Sequence, residues 1–332
     1  MQARYEKFDI LRGFAIVGVI LIHITAPLAT DGDLFSIVVN QISRFAVPVY
    51  FILSGWGLTI ANSFARSDGY WDFLKKRFMS IFPLYFLWNI IYLFYTDVWH
   101  IPGDLSMAML YDISKSLLLG TVYNHLYFVP VILIFYVVYP ILLRIANKYG
   151  ILLSLMITML SQVSDLWIEH EYFYMNKNVF NWLFFFIFGV WLANNFAEKV
   201  AYVQKYKMPI VLGLMITMLM VIFTPFVVGG VFDYNLALAS TRPTVIFYSL
   251  MVVLFVMVVN FKSTFLHNLF LALSKYSFYI YLSHYLFVDF LRESYLKADV
   301  HLNPVVYTIL FLFLVTCASL AVGIGTRKLE RR

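Results

Sequence analysis

Residues 10–28 read ILRGFAIVGVILIHITAPL, an apolar run broken by Arg12, His23 and Thr25. Nineteen residues in a helix cover just under 30 Å, about the thickness of a bilayer's hydrocarbon. The stretch therefore reads as a membrane span. The short basic lead-in with Arg4 and Lys7 is also how a secretory leader begins. The length of the run, and the polar residues it retains, favour an uncleaved first span.

The rest of the chain agrees. Of its 332 residues 62% are apolar and 13% charged, where soluble proteins have roughly 45–50% and 25%. Mean hydropathy is +0.81. Ten segments are long and apolar enough to be spans, at about 10–28, 43–62, 78–95, 125–144, 150–164, 179–195, 209–228, 240–260, 268–290 and 305–325. The expected fold is all-α: a polytopic transmembrane helical bundle of about ten spans, one membrane-embedded domain over 1–332. Lys and Arg collect on the cytoplasmic side of membrane proteins. With both termini cytoplasmic, eighteen of the 24 fall inside, and only Arg44, Lys115, Lys177, Arg242, Arg292 and Lys297 fall outside. The net charge of +6 is thus explained by topology.

Composition and spacing exclude several chemistries. Cys317 is the only cysteine and lies in an apolar run, so no disulfide framework or thiol metal cluster is expected. The seven histidines show no metal-ligand spacing, and a glycine-rich phosphate loop, glycosidase-like paired carboxylates and a His-Glu-x-x-His zinc pattern are all missing. Basic residues are not interleaved with exposed aromatics, so no nucleic acid partner is expected.

Ionisable residues inside a span cost roughly 2.5–3.5 kcal/mol near its centre on insertion scales and usually mark a site or pathway. Arg12 and His23 are eleven residues apart. At 100° and 1.5 Å per residue they share a helical face, separated by about 16 Å along the axis. Arg12 stands at the cytoplasmic end, where it can either snorkel to headgroups or grip a phosphate through paired hydrogen bonds. His23, two thirds of the way across, can either tie helices together or take a hydroxyl proton. The pair suits an elongated ligand with an anionic head and a thin arm, as in coenzyme A.

Four blocks carry a family resemblance. Residues 8–16, FDILRGFAI, with His23 eleven positions after Arg12, resemble the opening signature of the acyltransferase type 3 family of integral membrane proteins. Residues 44–56, RFAVPVYFILSGW, resemble its second span. His125-Leu126-Tyr127-Phe128 through Tyr139-Pro140 resembles a block that usually reads His-Leu-Trp-Phe, and residues 276–284, YSFYIYLSH, resemble its near-C-terminal block. The blocks follow family order over about five sixths of the chain. One departure stands out. Many members carry two arginines three apart before a Pro-x-Tyr, whereas here Arg77 is followed by Ser80 ahead of Pro83-Leu84-Tyr85.

The resemblance implies acyl transfer, most simply of acetyl, from cytoplasmic acetyl-CoA or another acyl-CoA to a hydroxyl of an envelope polysaccharide or lipid-linked glycan, with no metal. His23 would be the general base or a transient acyl carrier. Arg12, helped by Lys75, Lys76 and Arg77, would hold the donor. Lys75 and Lys76 lack the planar fork of arginine and also read as ordinary inner-loop cations. Arg44, Asn89, His125 and His284 are candidates for the acceptor side. Arg44 has Asp31 and Asp33 as alternative partners, and Asn89 and His284 also read as interhelical hydrogen bonds. His284 enters its span from the inside and should stand at the depth of His23. His125 also reads as an interface anchor. The expected location is the bacterial inner or plasma membrane, among membrane lipids, with a homo-oligomer left open. A small-molecule acceptor, and transport of a glycan or amino acid without acyl transfer, remain alternatives.

Overall fold

A computed structural model of the chain describes residues 6–96, 107–165, 167, 168, 175–228, 237–259 and 265–330. Among these all regular structure is helical: α1 Glu6–Thr30, α2 Leu34–Ser43, α3 Ala46–Ile60, α4 Tyr70–Tyr95, α5 Met107–Leu119, α6 Phe128–Ile145, α7 Lys148–Ser164, α8 Phe180–Ala193, α9 Phe196–Val203, α10 Lys207–Val228, α11 Pro243–Val258, α12 Phe265–Lys297 and α13 Pro304–Leu329, with two short 3₁₀ turns. Each of the ten expected spans coincides with a helix. Six stretches among the described residues meet the length and hydropathy of a membrane span: Glu6–Thr30, Leu34–Ile60, Tyr70–Tyr95, Phe128–Ile145, Phe196–Val228 and Pro304–Leu329. Phe180–Ala193 and Pro243–Val258 are apolar but shorter. Arg4, Lys262, Arg331 and Arg332 of the charge count, and His100 and His170, lie outside the described residues.

Three helices fall where the sequence reading has loops. The first, α2, is started by Asp33, whose carboxylate accepts from Ser36 N at 2.8 Å, the usual way an acidic residue satisfies an open helix N-terminus. Asp33 therefore caps a helix. The others, α5 and α9, are too short to announce themselves by hydropathy. Elsewhere the punctuation is conventional. Asn147 caps α7 through Tyr149 N and Gly150 N, and prolines open α11 and α13.

The chain forms two compact units, residues 1–54 with 194–332, and residues 55–193. In the first, α1 is the central helix, packed by α2, α11, α12 and α13. Phe8, Leu11, Ala15, Ile16, Ile20 and Ile24 are fully buried. Gly13 makes the closest of these contacts, since a Cβ there would sit 2.0 Å from the carbonyl oxygen of Phe270 on α12. Membrane helices pack closely through small residues because backbones must approach without a hydrophobic drive. In the second unit α8 packs on α6 and α7, and α4 on α6. Gly55 plays a similar part there, its position for a Cβ lying 2.3 Å from Phe186 O.

Large apolar side chains remain exposed along α7, α10 and α13, among them Leu152, Leu160, Ile216, Phe223, Ile309 and Phe313. Contiguous apolar surface on this scale belongs against lipid rather than water. The protein is a multi-pass membrane protein by these helices.

Candidate active site

The predicted residues divide between the units. Arg12, His23, Arg44 and His284 belong to the first, and Lys75, Lys76, Arg77, Asn89 and His125 to the second.

In the first unit α1 carries Arg12 near its start and His23 near its far end, as the spacing requires. The Arg12 side chain is about 30% exposed, and its Nη1 lies 3.3 Å from Asp9 Oδ1, one turn earlier. Asp9 also receives the Ser274 hydroxyl at 3.5 Å, and Tyr50 donates to the Arg12 carbonyl at 3.3 Å. Sequence reasoning assigned Arg12 its ligand but missed the carboxylate already holding it. Beside Asp9 opens a recess of about 500 Å³, lined by Glu6, Asp9, Leu271, Ala272, Lys275 and Tyr276. The Lys275 ammonium and the Arg327 guanidinium lie over the Tyr276 ring, at 5.3 and 5.6 Å from its centre. An anionic ligand entering here meets cations at the rim and carboxylates on the wall.

His23 and His284 stand together, as the depth argument expects. Their ring centres are 5.2 Å apart, and the Tyr285 ring lies 4.4 Å from His23. The two imidazoles differ in access: His284 is fully buried, whereas His23 is half-buried. His284 Nδ1 lies 2.7 Å from Tyr281 O and 3.2 Å from Ile280 O. Carbonyl oxygens offer only lone pairs, so Nδ1 carries the ring proton and donates it. With that proton at Nδ1, the lone pair of the ring is at Nε2.

A polar network holds the α1 backbone around His23. Asn40 Nδ2 donates to Ile22 O at 2.9 Å and to Thr25 Oγ1 at 3.1 Å. Arg44 donates to Asn40 Oδ1 through Nε at 2.9 Å and Nη2 at 2.6 Å, and to Ser240 Oγ at 3.4 Å. Its charge lies within Coulombic reach of His23. Buried Arg242 extends the network, donating to Gln41 Oε1, Ala237 O and Ala239 O. Sequence reasoning counted Arg242 only among the outer-side cations and passed over Asn40, Gln41, Tyr50 and Tyr285. Two adjacent amides within the run Ile37–Ile42 were the available signal for Asn40 and Gln41.

In the second unit Lys75 and Lys76 are exposed, and Lys76 Nζ pairs with Asp72 at 2.6 Å. Arg77 Nη2 donates to Ser63 Oγ at 3.0 Å, and its guanidinium lies 6.0 Å from the Phe73 ring centre. Its buried Nε has no hydrogen-bond acceptor among the described residues. Asn89 is fully buried and donates to Tyr85 O at 2.8 Å. Buried His125 sits against Tyr92 at 5.2 Å and Tyr123 at 6.0 Å, ring centre to ring centre. It is buried in an aromatic cluster. No group of three or more His, Cys, Asp or Glu among the described residues could hold a metal ion.

A half-buried imidazole beside a second one can serve as a general base or carry an acyl group. Comparison with known proteins agrees with that chemistry. The sequence profile of a family described as an acyltransferase domain matches residues 5–324. A Staphylococcus epidermidis protein named "Probable poly-beta-1,6-N-acetyl-D-glucosamine export protein" is 24% identical over 339 residues, covering 96% of this chain and 90% of the relative. A Staphylococcus aureus protein of the same name (strain MRSA252) is 24% identical over 306 residues, covering 86% and 80%. No solved structure matches the chain significantly. With nearly its whole length matched, the chain belongs to the acyltransferase type 3 family and is by that membership an acyltransferase of the non-aminoacyl type.

Proposed function

We propose that the protein transfers an acyl group, most simply acetyl, from a cytoplasmic acyl-CoA to a hydroxyl of a cell-envelope polysaccharide or its lipid-linked precursor. The observation that carries this reading is the half-buried His23, eleven residues beyond Arg12 on the central helix and backed by buried His284. The staphylococcal relatives, named for a polysaccharide, support the class of acceptor.

In this reading ten helices span the membrane of a bacterial cell with both termini cytoplasmic. Arg12 meets the phosphates of the donor at the inner end of α1, exchanging Asp9 for a stronger anion. The pantetheine arm runs outward along α1 and brings the thioester toward His23. A ring nitrogen of His23 takes the proton of the acceptor hydroxyl as the hydroxyl oxygen attacks the thioester carbonyl. Collapse of the tetrahedral adduct forms the ester, breaks the C–S bond and expels the thiolate, which recovers the proton from His23. Arg44, whose charge acts on His23, receives the acceptor. A donor role for Lys75, Lys76 and Arg77, and an acceptor role for Asn89 and His125, rest on the family resemblance. Coenzyme A cannot cross the bilayer, which gives a spanning catalyst its use.

Mass spectrometry of surface glycans from cells with and without the gene is the test. One acyl substituent per repeat, lost on deletion and not restored by a His23→Ala copy, is the expected result. The relatives' names favour a second reading, glycan export. Export predicts glycan retained in deletion cells with its acylation unchanged, and no consumption of acyl-CoA by the purified protein.

A further inference from the structure

We propose that Arg44 is a catalytic residue beside the base: its guanidinium donates to the thioester carbonyl oxygen as that oxygen takes on negative charge. The inference rests on His23 acting as the base, and it gives Arg44 a part in the chemical step beyond receiving the acceptor. Hydrogen bonds set the placement. Asn40, fully buried, donates from Nδ2 to Ile22 O at 2.9 Å and to Thr25 Oγ1 at 3.1 Å, on either side of His23 in α1. Its Oδ1 accepts from Arg44 Nε at 2.9 Å and from Nη2 at 2.6 Å. One buried amide therefore holds the guanidinium against the turn that carries the base. Arg44 is half-buried, as His23 is, and its Nη1 makes a long bond of 3.4 Å to Ser240 Oγ. A hydrogen bond to an ionised acceptor is shorter and roughly twice as strong as a neutral one, so an oxyanion displaces this hydroxyl.

The charges say what the guanidinium is for. When His23 takes the hydroxyl proton it becomes an imidazolium, and the positive charge of Arg44, which acts on that ring, repels it. Buried Arg242 adds to the same potential: its charge and that of Arg44 interact, and the acceptors of its hydrogen bonds, Gln41 Oε1, Ala237 O and Ala239 O, are neutral. Two cations alone would slow the proton transfer. Negative charge formed at the same moment against Arg44 reverses the balance, and most strongly in surroundings of low dielectric. The reaction itself supplies that charge. As the hydroxyl oxygen bonds to the carbonyl carbon, the π pair moves onto the carbonyl oxygen; on collapse it returns, the C–S bond breaks, and the thiolate takes the proton back from His23. A donor aimed at charge that develops only during the reaction lowers the barrier without tightening the binding of substrate.

Kinetics of Arg44→Ala with labelled acetyl-CoA and the isolated polysaccharide separate this role from binding alone. Loss of an oxyanion donor should lower kcat by about 10²- to 10³-fold and leave KM for donor and acceptor within a few-fold, with millimolar guanidinium chloride restoring part of the turnover. A kcat kept within a few-fold, whether or not KM for the polysaccharide rises, overturns the proposal. A second measurement leaves Arg44 in place and so stands even where its variants misfold. Infrared spectra of acetyl-CoA carrying carbon-13 at the thioester carbonyl, bound to His23→Ala, should show the carbonyl band at lower frequency than in the free donor. A band at the free-donor position overturns the proposal. Wild-type protein that moves no label from acetyl-CoA to the glycan would instead remove the underlying reading.

Discussion

The two units bury similar polar side chains and use them differently. In the second unit the amides and hydroxyls between α7 and α8 close on nearby backbone or on a neighbouring side chain. Thr158 donates to Phe180 O at 2.8 Å, Gln162 to Asn181 O at 3.2 Å, and Asn181 to Met175 O at 2.7 Å and to the Asp165 carboxylate at 2.5 Å. These bonds tie α7 to α8. In the first unit the polar groups gather into chains: Arg12 with Asp9 and Ser274, His23 with His284, and Arg44 with Asn40, Gln41 and Arg242. One member of the central pair keeps an accessible face. Buried polarity therefore marks a site where side chains converge on a reachable group, and otherwise serves helix packing.

That contrast can be broken most sharply at its two histidines. His23→Ala should lower acyl transfer by roughly 10²- to 10⁴-fold, the worth of a general base. His125→Ala, in the aromatic cluster of the second unit, should lower the unfolding temperature and raise KM for the acceptor while leaving kcat within a few-fold. Equal losses of kcat would erase the distinction between the units.

Packing gives the next largest effect. Gly13→Val places atoms against the Phe270 carbonyl, where backbone on both sides prevents relief. A loss of about 1–3 kcal/mol or more is expected from overpacking. Gly325, which has nothing within 4 Å of an added Cβ, should accept alanine without loss. Thermal unfolding in detergent distinguishes the two.

A smaller change is expected at Asn181→Leu, which removes one donor from the buried Asp165 carboxylate and one bond to Met175 O. Stability should fall by about 1–3 kcal/mol, the cost of a buried polar group losing its partner, while KM and kcat stay as they were. The smallest change concerns Lys76→Ala on the exposed start of α4. Unfolding should be unaffected, and if the cation attracts the donor, KM for acyl-CoA rises by a few-fold that high salt abolishes.

Much of the fold was legible because lipid makes hydropathy nearly decisive. All ten expected segments are helices, and α12 was recognisable by its length and apolarity despite Ser274, Lys275, Ser277 and His284. Helices α2, α5 and α9 were not legible. Each is short, and only the Asp33 cap left a local mark. Within the site, the spacing of Arg12 and His23 and the matched depth of His284 followed from helix geometry. The partners of those groups did not. Asp9 on Arg12, Asn40 on Arg44 and the backbone carbonyls on His284 depend on rotamers and on which helices meet, and periodicity carries neither. The buried network of Arg242 was not legible for a related reason: a cation at a span end obeys the topology rule whether it points to water or, as here, into a buried network.

The central claim is that the accessible imidazole of the first unit performs the transfer. Purified wild-type protein and His23→Ala, reconstituted in lipid with labelled acyl-CoA and the isolated polysaccharide, test it directly by the label recovered in ester linkage on the glycan. Label on the glycan with the wild type and none above background with the variant is the predicted result. Equal labelling by both proteins would contradict the account.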